Sequence, residues 1–166
     1  MPLLVLVRHA KAEVPTGDLD DHDRALTLEG RIAAARLGER LDEAGIVPDE
    51  VFVSSANRAQ QTWKRMAPRF EDALVHTVPE LYGAGIGGYQ AVLAHARGPE
   101  VVMTVAHEPT ASGFARWLAD DDSDRDALAQ LATGLVTSGA AVLEVRSWAP
   151  LRAGGARLAE IYSGKL

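Results

Sequence analysis

Two histidines and two arginines stand where apolar runs end. Residues 3–7 read LLVLV, and Arg8 and His9 follow at once. The run EVFVS at 50–54 leads through Ser54 and Ser55 to Arg58, and VVMTV at 101–105 leads through Ala106 to His107 and Glu108. Pro79 and Glu80 follow another apolar stretch at 73–78. A single polar strand end is ordinary solvation. Four that together offer two imidazoles, two guanidiniums and a carboxylate describe a site.

The chemistry follows from the residue types. Two guanidiniums present planar forks of donors that match phosphate or carboxylate oxygens. Helix N-termini after the second and fourth runs would add backbone N–H groups and positive dipole ends. Such a site suits a doubly charged anion, and a phosphoryl group fits best. The chain has no Cys, no H-E-x-x-H and no Asp pair at a strand end, so no metal-ligand pattern accompanies it. A phosphoryl site of this kind points to a His nucleophile, with the arginines supplying the charge stabilisation. Neighbouring guanidiniums disfavour the imidazolium, so the same cations that hold substrate would keep His9 neutral. A leaving group needs a proton, and Glu80 is the nearest candidate acid.

These residues must be brought together by alternating strands and helices. Apolar runs predict strands at 3–7, 50–54, 73–78 and 100–105, and two late strands at 140–147 and 157–163 joined by the turn APLRAGGA. Helices are predicted at 28–44, with Leu28, Ile32, Leu37 and Leu41 at helical spacing and Thr27 as cap, and at 55–69, 87–96 and 109–119. Pro109 suits a first helical turn. Residues 120–126 read as an acidic loop. The alternation predicts an α/β fold, a three-layer α/β/α sandwich with a mostly parallel central sheet. Ligands of such sheets bind outside the carboxyl ends of the strands, where the charged residues above are found. Only Glu80 to Gly87 separates the third strand from the next helix, so the cap region is short.

Length and composition set the frame. The 166 residues suit one domain, 1–166, with a sizeable core; no repeat or long linker divides them. Hydrophobic residues make up 47% and charged residues 24%, and the formal net charge is −6. That balance argues against a nucleic-acid or anionic-membrane footprint. LLVLV is too short for a spanning helix or a signal core, and a cytoplasmic protein is the expectation.

Five segments carry a family resemblance: LVRHAKAE, DRALTLEGR, VSSANRAQQTW, PELYGA and VAHEPT. From Leu3 to about Ala115 the chain resembles the histidine phosphatase superfamily, the phosphoglycerate-mutase-like fold. Within it the chain is most similar to the small SixA-type phosphohistidine phosphatases. The resemblance implies that His9 is transiently phosphorylated and that Arg8, Arg58 and His107 complete the phosphate pocket. It implies Glu80 as the acid and Arg24 as a rim contact to phosphate or to the first loop. No cofactor and no metal is implied. The chain departs from the common pattern at Ala10, where Gly is usual, and at Glu108, where Asn is usual. Ala10 would crowd the backbone; Glu108 would put a carboxylate beside the pocket or turn outward.

The other features read more plainly. GAGIGG at 83–88 satisfies G-x-G-x-x-G but does not follow the first strand, so it reads as a rim loop. DDDSDRD lacks the glycine and final Glu of a calcium loop. His22, His76 and His95 read as surface or packing residues and Trp63 as core. The leading function is a metal-independent phosphatase acting through phospho-His9 on phosphohistidine proteins or other phosphorylated groups at an open pocket. A small-molecule phosphomonoesterase or mutase, and a catalytically silent phosphate-binding module, are the alternatives. The expected partners are a phosphorylated protein or a small phosphoester, without nucleic acid or membrane.

Overall fold

The computed structural model describes residues 1–96 and 100–166. Strands β1 (Leu3–Arg8), β2 (Glu50–Ser54), β3 (Leu74–Val78), β4 (Val101–Ala106), β5 (Gly139–Val145) and β6 (Ala156–Ser163) form one sheet in the order β3-β2-β4-β1-β5-β6. The pairs β1·β4, β2·β4 and β2·β3 are parallel, while β5 and β6 add antiparallel strands beside β1. The helices are α1 (Leu28–Glu43), α2 (Asn57–Met66), α3 (Ile86–Leu93), α4 (Thr110–Leu118) and α5 (Arg125–Leu131).

Period-two alternation makes the three layers. Val5, Val7, Val51, Val53, Met103 and Val105 point to the face covered by α1 and α2, where they meet Leu37, Leu41, Trp63 and Met66. Leu4, Leu6, Phe52 and Val102 point to the opposite face and meet Tyr89, Phe114, Leu118 and Leu131 of α3, α4 and α5. Both faces are buried, so β1 and β4 read as near-continuous apolar runs rather than alternating ones. Each large side chain so buried contributes roughly 1.5–3 kcal/mol.

Two details differ from the sequence reading. The stripe of α1 is not Leu28–Ile32–Leu37–Leu41: Leu28 is 70% exposed and Ile32 52%. Nine positions at roughly 100° each put Leu37 on the far side of the helix from Leu28. The packed face is instead Gly30, Ala34, Leu37 and Leu41, with Ala33 and Gly38 beside them. The acidic stretch, read as a loop over 120–126, holds the start of a helix. Asp124 accepts from Ala127 N at 2.8 Å and caps α5, whose Ala127 and Leu131 are buried. Thr27 caps α1 as expected, accepting from Gly30 N at 2.9 Å.

Candidate active site

Strand order decides which strand ends meet. The C-terminal ends of β2, β4 and β1 lie side by side, so Ser54, His107 and the Arg8–His9 pair share one rim. His9 stays in the sheet after β1 ends. Its N–H donates to Ala106 O at 3.0 Å, and its carbonyl accepts from Ser138 N at 3.2 Å. The nucleophile candidate is thus fixed from both sides by backbone. Ser138 sits at φ 57° to make its contact.

His9 is 9% exposed, and its Nδ1 donates to Ala10 O at 2.7 Å. A carbonyl can only accept, so the proton is on Nδ1 and the lone pair is on Nε2. Burial, aided by Arg58, Arg8 and Arg24, lowers the His9 pKa to about 4 against the opposing effect of the Ala10 hydrogen bond. His107, tilted beside His9 with ring centroids 5.3 Å apart, is lowered to about 3, first by burial and then by His9 and Arg58. Both imidazoles are neutral at pH 7, as a nucleophilic histidine requires.

The arginines are anchored with donors left over. Arg8 Nη1 donates to Leu135 O at 2.9 Å. Arg58 Nη1 donates to Asp21 O at 2.9 Å and Nη2 to Asp21 Oδ2 at 3.2 Å. The Nε of each arginine is buried and has no partner among the described residues, and so is His107 Nδ1. A buried polar group without a partner costs roughly 1–3 kcal/mol, so three of them on residues grouped with His9 suit a ligand that supplies acceptors.

Helix α2 ties the site to the loop after His9. Asn57, Arg58, Gln61 and Thr62 lie on one face at i, i+1, i+4 and i+5. Asn57 donates to Asp23 O and Gln61 Oε1 accepts from Leu26 N at 2.7 Å. Thr62 Oγ1 accepts from Ala10 N at 2.9 Å and donates to Arg58 O at 2.7 Å, joining the residue after His9 to the helix that carries Arg58. Four of the six residues in NRAQQT thus form one polar face of α2, which carries Arg58 and holds the loop after His9.

Asp21 and Tyr82 are the site residues that sequence reasoning missed. Tyr82 donates to Asp21 Oδ2 at 2.6 Å, and Arg24 Nε donates to Asp21 Oδ1 at 3.0 Å. The Tyr82 hydrogen bond, then Arg58 and Arg24, hold the Asp21 carboxyl below the usual range, and the same hydrogen bond pushes the Tyr82 hydroxyl up. Tyr82 meets His107 edge-on at 5.6 Å and His22 at 4.9 Å, and Arg58 lies over its ring at 5.8 Å. His22, read as a surface residue, also contacts Ser55 Oγ at 2.9 Å on this rim. The glycine-rich rim segment 83–88 passes close by, and Thr110 donates to its Ala84 carbonyl at 2.8 Å.

Glu80 lies elsewhere. Strand β3 is at the sheet edge, three strand spacings from β1, roughly 14 Å at ~4.8 Å each. Glu80 is exposed on the turn Pro79–Leu81 and lines a cavity of about 610 Å³ with Glu50, Phe52, His76 and His95. Arg24 is on the rim, donating to Glu13 O at 3.0 Å as well as to Asp21. The two departures from the family pattern resolve simply. Ala10 is fully buried in a small cluster with Leu26 and Ala34, and its φ is not positive. Glu108 turns away from the anion pocket to the start of α4, accepting from Ser112 N at 2.9 Å and Ser112 Oγ at 2.5 Å.

Comparison with known proteins bears on the family and the fold. The family model for the histidine phosphatase superfamily (branch 1) matches residues 4–100. The uncharacterized protein Rv1276c of Mycobacterium tuberculosis is 35% identical over 155 residues, 92% of this chain and 96% of its own. A structure from Nakamurella multipartitia, assigned as phosphohistidine phosphatase SixA, superposes with TM-score 0.84 at 30% identity, covering 97% of this chain and 95% of that one. One from Agrobacterium tumefaciens, assigned likewise, gives TM-score 0.82 at 28% identity, covering 98% of each chain.

Proposed function

Because this chain belongs to the histidine phosphatase superfamily, as a histidine-type phosphatase, we propose that it removes phosphoryl groups from phosphohistidine-bearing proteins through a covalent intermediate on His9. The observation that carries this reading is the set of three unsatisfied buried nitrogens, Arg8 Nε, Arg58 Nε and His107 Nδ1, on residues that adjoin a neutral imidazole in the chain, touch its ring or act on it electrostatically. The unprotonated Nε2 of His9 attacks phosphorus, and the bond from phosphorus to the leaving nitrogen or oxygen breaks. Charge building on the equatorial oxygens is met by the two arginines. Water then attacks phospho-His9, the P–N bond breaks, and inorganic phosphate leaves with the Nε2 lone pair restored.

Residues 1–166 act as one domain in this reading, and the cytoplasm is the expected compartment. No helix among the described residues is long and apolar enough to cross a membrane. Glu80 as proton donor rests on its place after the third strand and on the family resemblance. Glu80→Gln should slow poor leaving groups more than aryl phosphates; equal slowing counts against the role.

The test is a trapped phosphoenzyme. Neutral quench after mixing with an acid-labile ³²P donor should leave label on the wild type and none on His9→Ala, which keeps its circular dichroism but loses turnover. Prolonged EDTA treatment should leave the wild-type rate unchanged. Activity in His9→Ala would end the proposal, and loss on chelation restored by one divalent ion would end its metal-independent form.

A further inference from the structure

We infer that Ser54 is a positioning residue that sets the tautomer of His107 and so makes that imidazole a donor toward phosphoryl oxygens. The inference rests on reading the pocket as a phosphoryl site. It assigns a function to the last residue of β2, which neither the strand pattern nor the charge pattern explains.

The argument is a count of donors and acceptors. Ser54 is fully buried, and its Oγ lies 2.8 Å from His107 Nε2. That oxygen already accepts from Ala56 N at 3.3 Å. Its own proton still needs an acceptor, and among the described residues His107 Nε2 is the one within reach. A neutral imidazole carries one N–H and one lone pair, on whichever nitrogens their neighbours favour. If Ser54 donates, Nε2 holds the lone pair and Nδ1 holds the proton. One buried group, Nδ1–H, is then left without a partner. In the other tautomer Nε2–H donates to Oγ. Two buried groups are then orphaned, the serine proton and the Nδ1 lone pair. The first arrangement is better satisfied.

The ligand distinguishes the two tautomers more sharply. His107 packs against His9 at 5.3 Å and within the electrostatic reach of Arg58. A lone pair on Nδ1 would repel a phosphoryl oxygen bound against it, whereas an N–H would add a donor to the buried, unpartnered Nε–H groups of Arg8 and Arg58. Burial keeps His107 uncharged at neutral pH. Placement of one proton, rather than gain of a charge, therefore decides whether the ring helps. A hydroxyl at position 54 is the group that makes this choice, and it does so without touching substrate.

The experiment reads the tautomer directly. Two-bond ¹H–¹⁵N spectra of the ¹⁵N-labelled full chain, with His107→Asn used only to assign the signals, should show Nδ1 protonated and Nε2 bare at pH 7. Tungstate serves as the oxyanion probe, by competition against an aryl phosphate. Ser54→Ala should mix the tautomers and weaken tungstate binding on the order of tenfold. KM should rise more than kcat falls, since the contact is made in ground and transition states alike. Ser54→Thr keeps the hydroxyl and should restore both readouts. Nε2 protonated in the wild type, or tungstate affinity unchanged in Ser54→Ala, overturns the inference. If Ser54→Ala does not fold, the wild-type spectrum decides alone. A wild type that binds no tungstate removes the phosphoryl reading and this inference with it. Binding with Nε2 protonated removes this inference only.

Discussion

At the scale of single residues, the site is defined by protons that are absent. His9 titrates at about 4 and His107 at about 3, well below the ordinary imidazole value of 6.5, chiefly because both are buried and secondly because cations or each other lie close. For activity the sign is simple, since the neutral form is the nucleophile in the proposed mechanism. The kcat/KM, corrected for ionisation of the substrate itself, should hold from pH 8 down to about pH 5 and fall only as His9 protonates near 4. A limb at 6.5 would mean that His9 is solvated or is not the nucleophile. For stability the unfolded chain binds protons at 6.5 that the folded chain refuses until about 4. Stability is therefore complete above 6.5 and falls as pH drops through that window. His9 alone contributes on the order of 3 kcal/mol to the loss. Urea midpoints from pH 7.5 to 4.5 measure it.

At the scale of elements, the loop after His9 is held by what it packs against. Gly30, in the first turns of α1, lies under the Lys11 carbonyl so closely that a Cβ would overlap that oxygen. Thr27 N also donates to Lys11 O at 3.0 Å, so helix and loop are locked together. Gly30→Ala should cost about 2–3 kcal/mol and lower kcat, because pushing Lys11 moves Ala10, the acceptor for His9 Nδ1. Gly113 in α4 provides the contrast, with open space where its Cβ would be. Gly113→Ala should be neutral or stabilise by up to about 1 kcal/mol with activity intact. Denaturant melts of the two variants, run beside a rate assay, check both. Equal effects would mean that close approach to Lys11 does not matter.

At the scale of the whole molecule, the short cap governs what can enter. Between Val78 and Ile86 there is one 3-10 turn and a glycine-rich stretch, and Tyr82 reaches from it to Asp21 by a single 2.6 Å hydrogen bond. Such a segment has few side chains with which to enclose a metabolite and read its outline. Little binding energy remote from phosphorus is then available to a small ester. A phosphohistidine-bearing protein or peptide should be hydrolysed with higher kcat/KM than sugar phosphates or phosphoglycerate. A panel run at matched concentrations decides it, and a single small ester that outruns every phosphoprotein would favour the phosphomonoesterase reading.

Some of this was determined by sequence alone. Apolar runs at β1 and β4, interrupted only by Thr104, specify strands buried on both faces, because such strands have almost no polar side to show. The charged residues that follow those runs stand at strand ends for the same reason. What the sequence could not carry was lateral order. With β4 between β1 and β2, His107 comes beside both His9 and Ser54. With β3 at the edge, Glu80 lines the cavity beside that strand while Tyr82, two residues on, reaches the rim. Helix phase was a second such gap: Leu28 and Leu37 look alike in a count of apolar residues but lie on opposite sides of α1. Asp21 was a third, since a carboxylate in a loop reads as solvated until the fold brings Arg58, Arg24 and Tyr82 around it. Strand type and strand end are set by neighbours along the chain. Which strand ends face one another is set by hydrogen-bonded pairing between segments far apart in it, and only the folded sheet decides that.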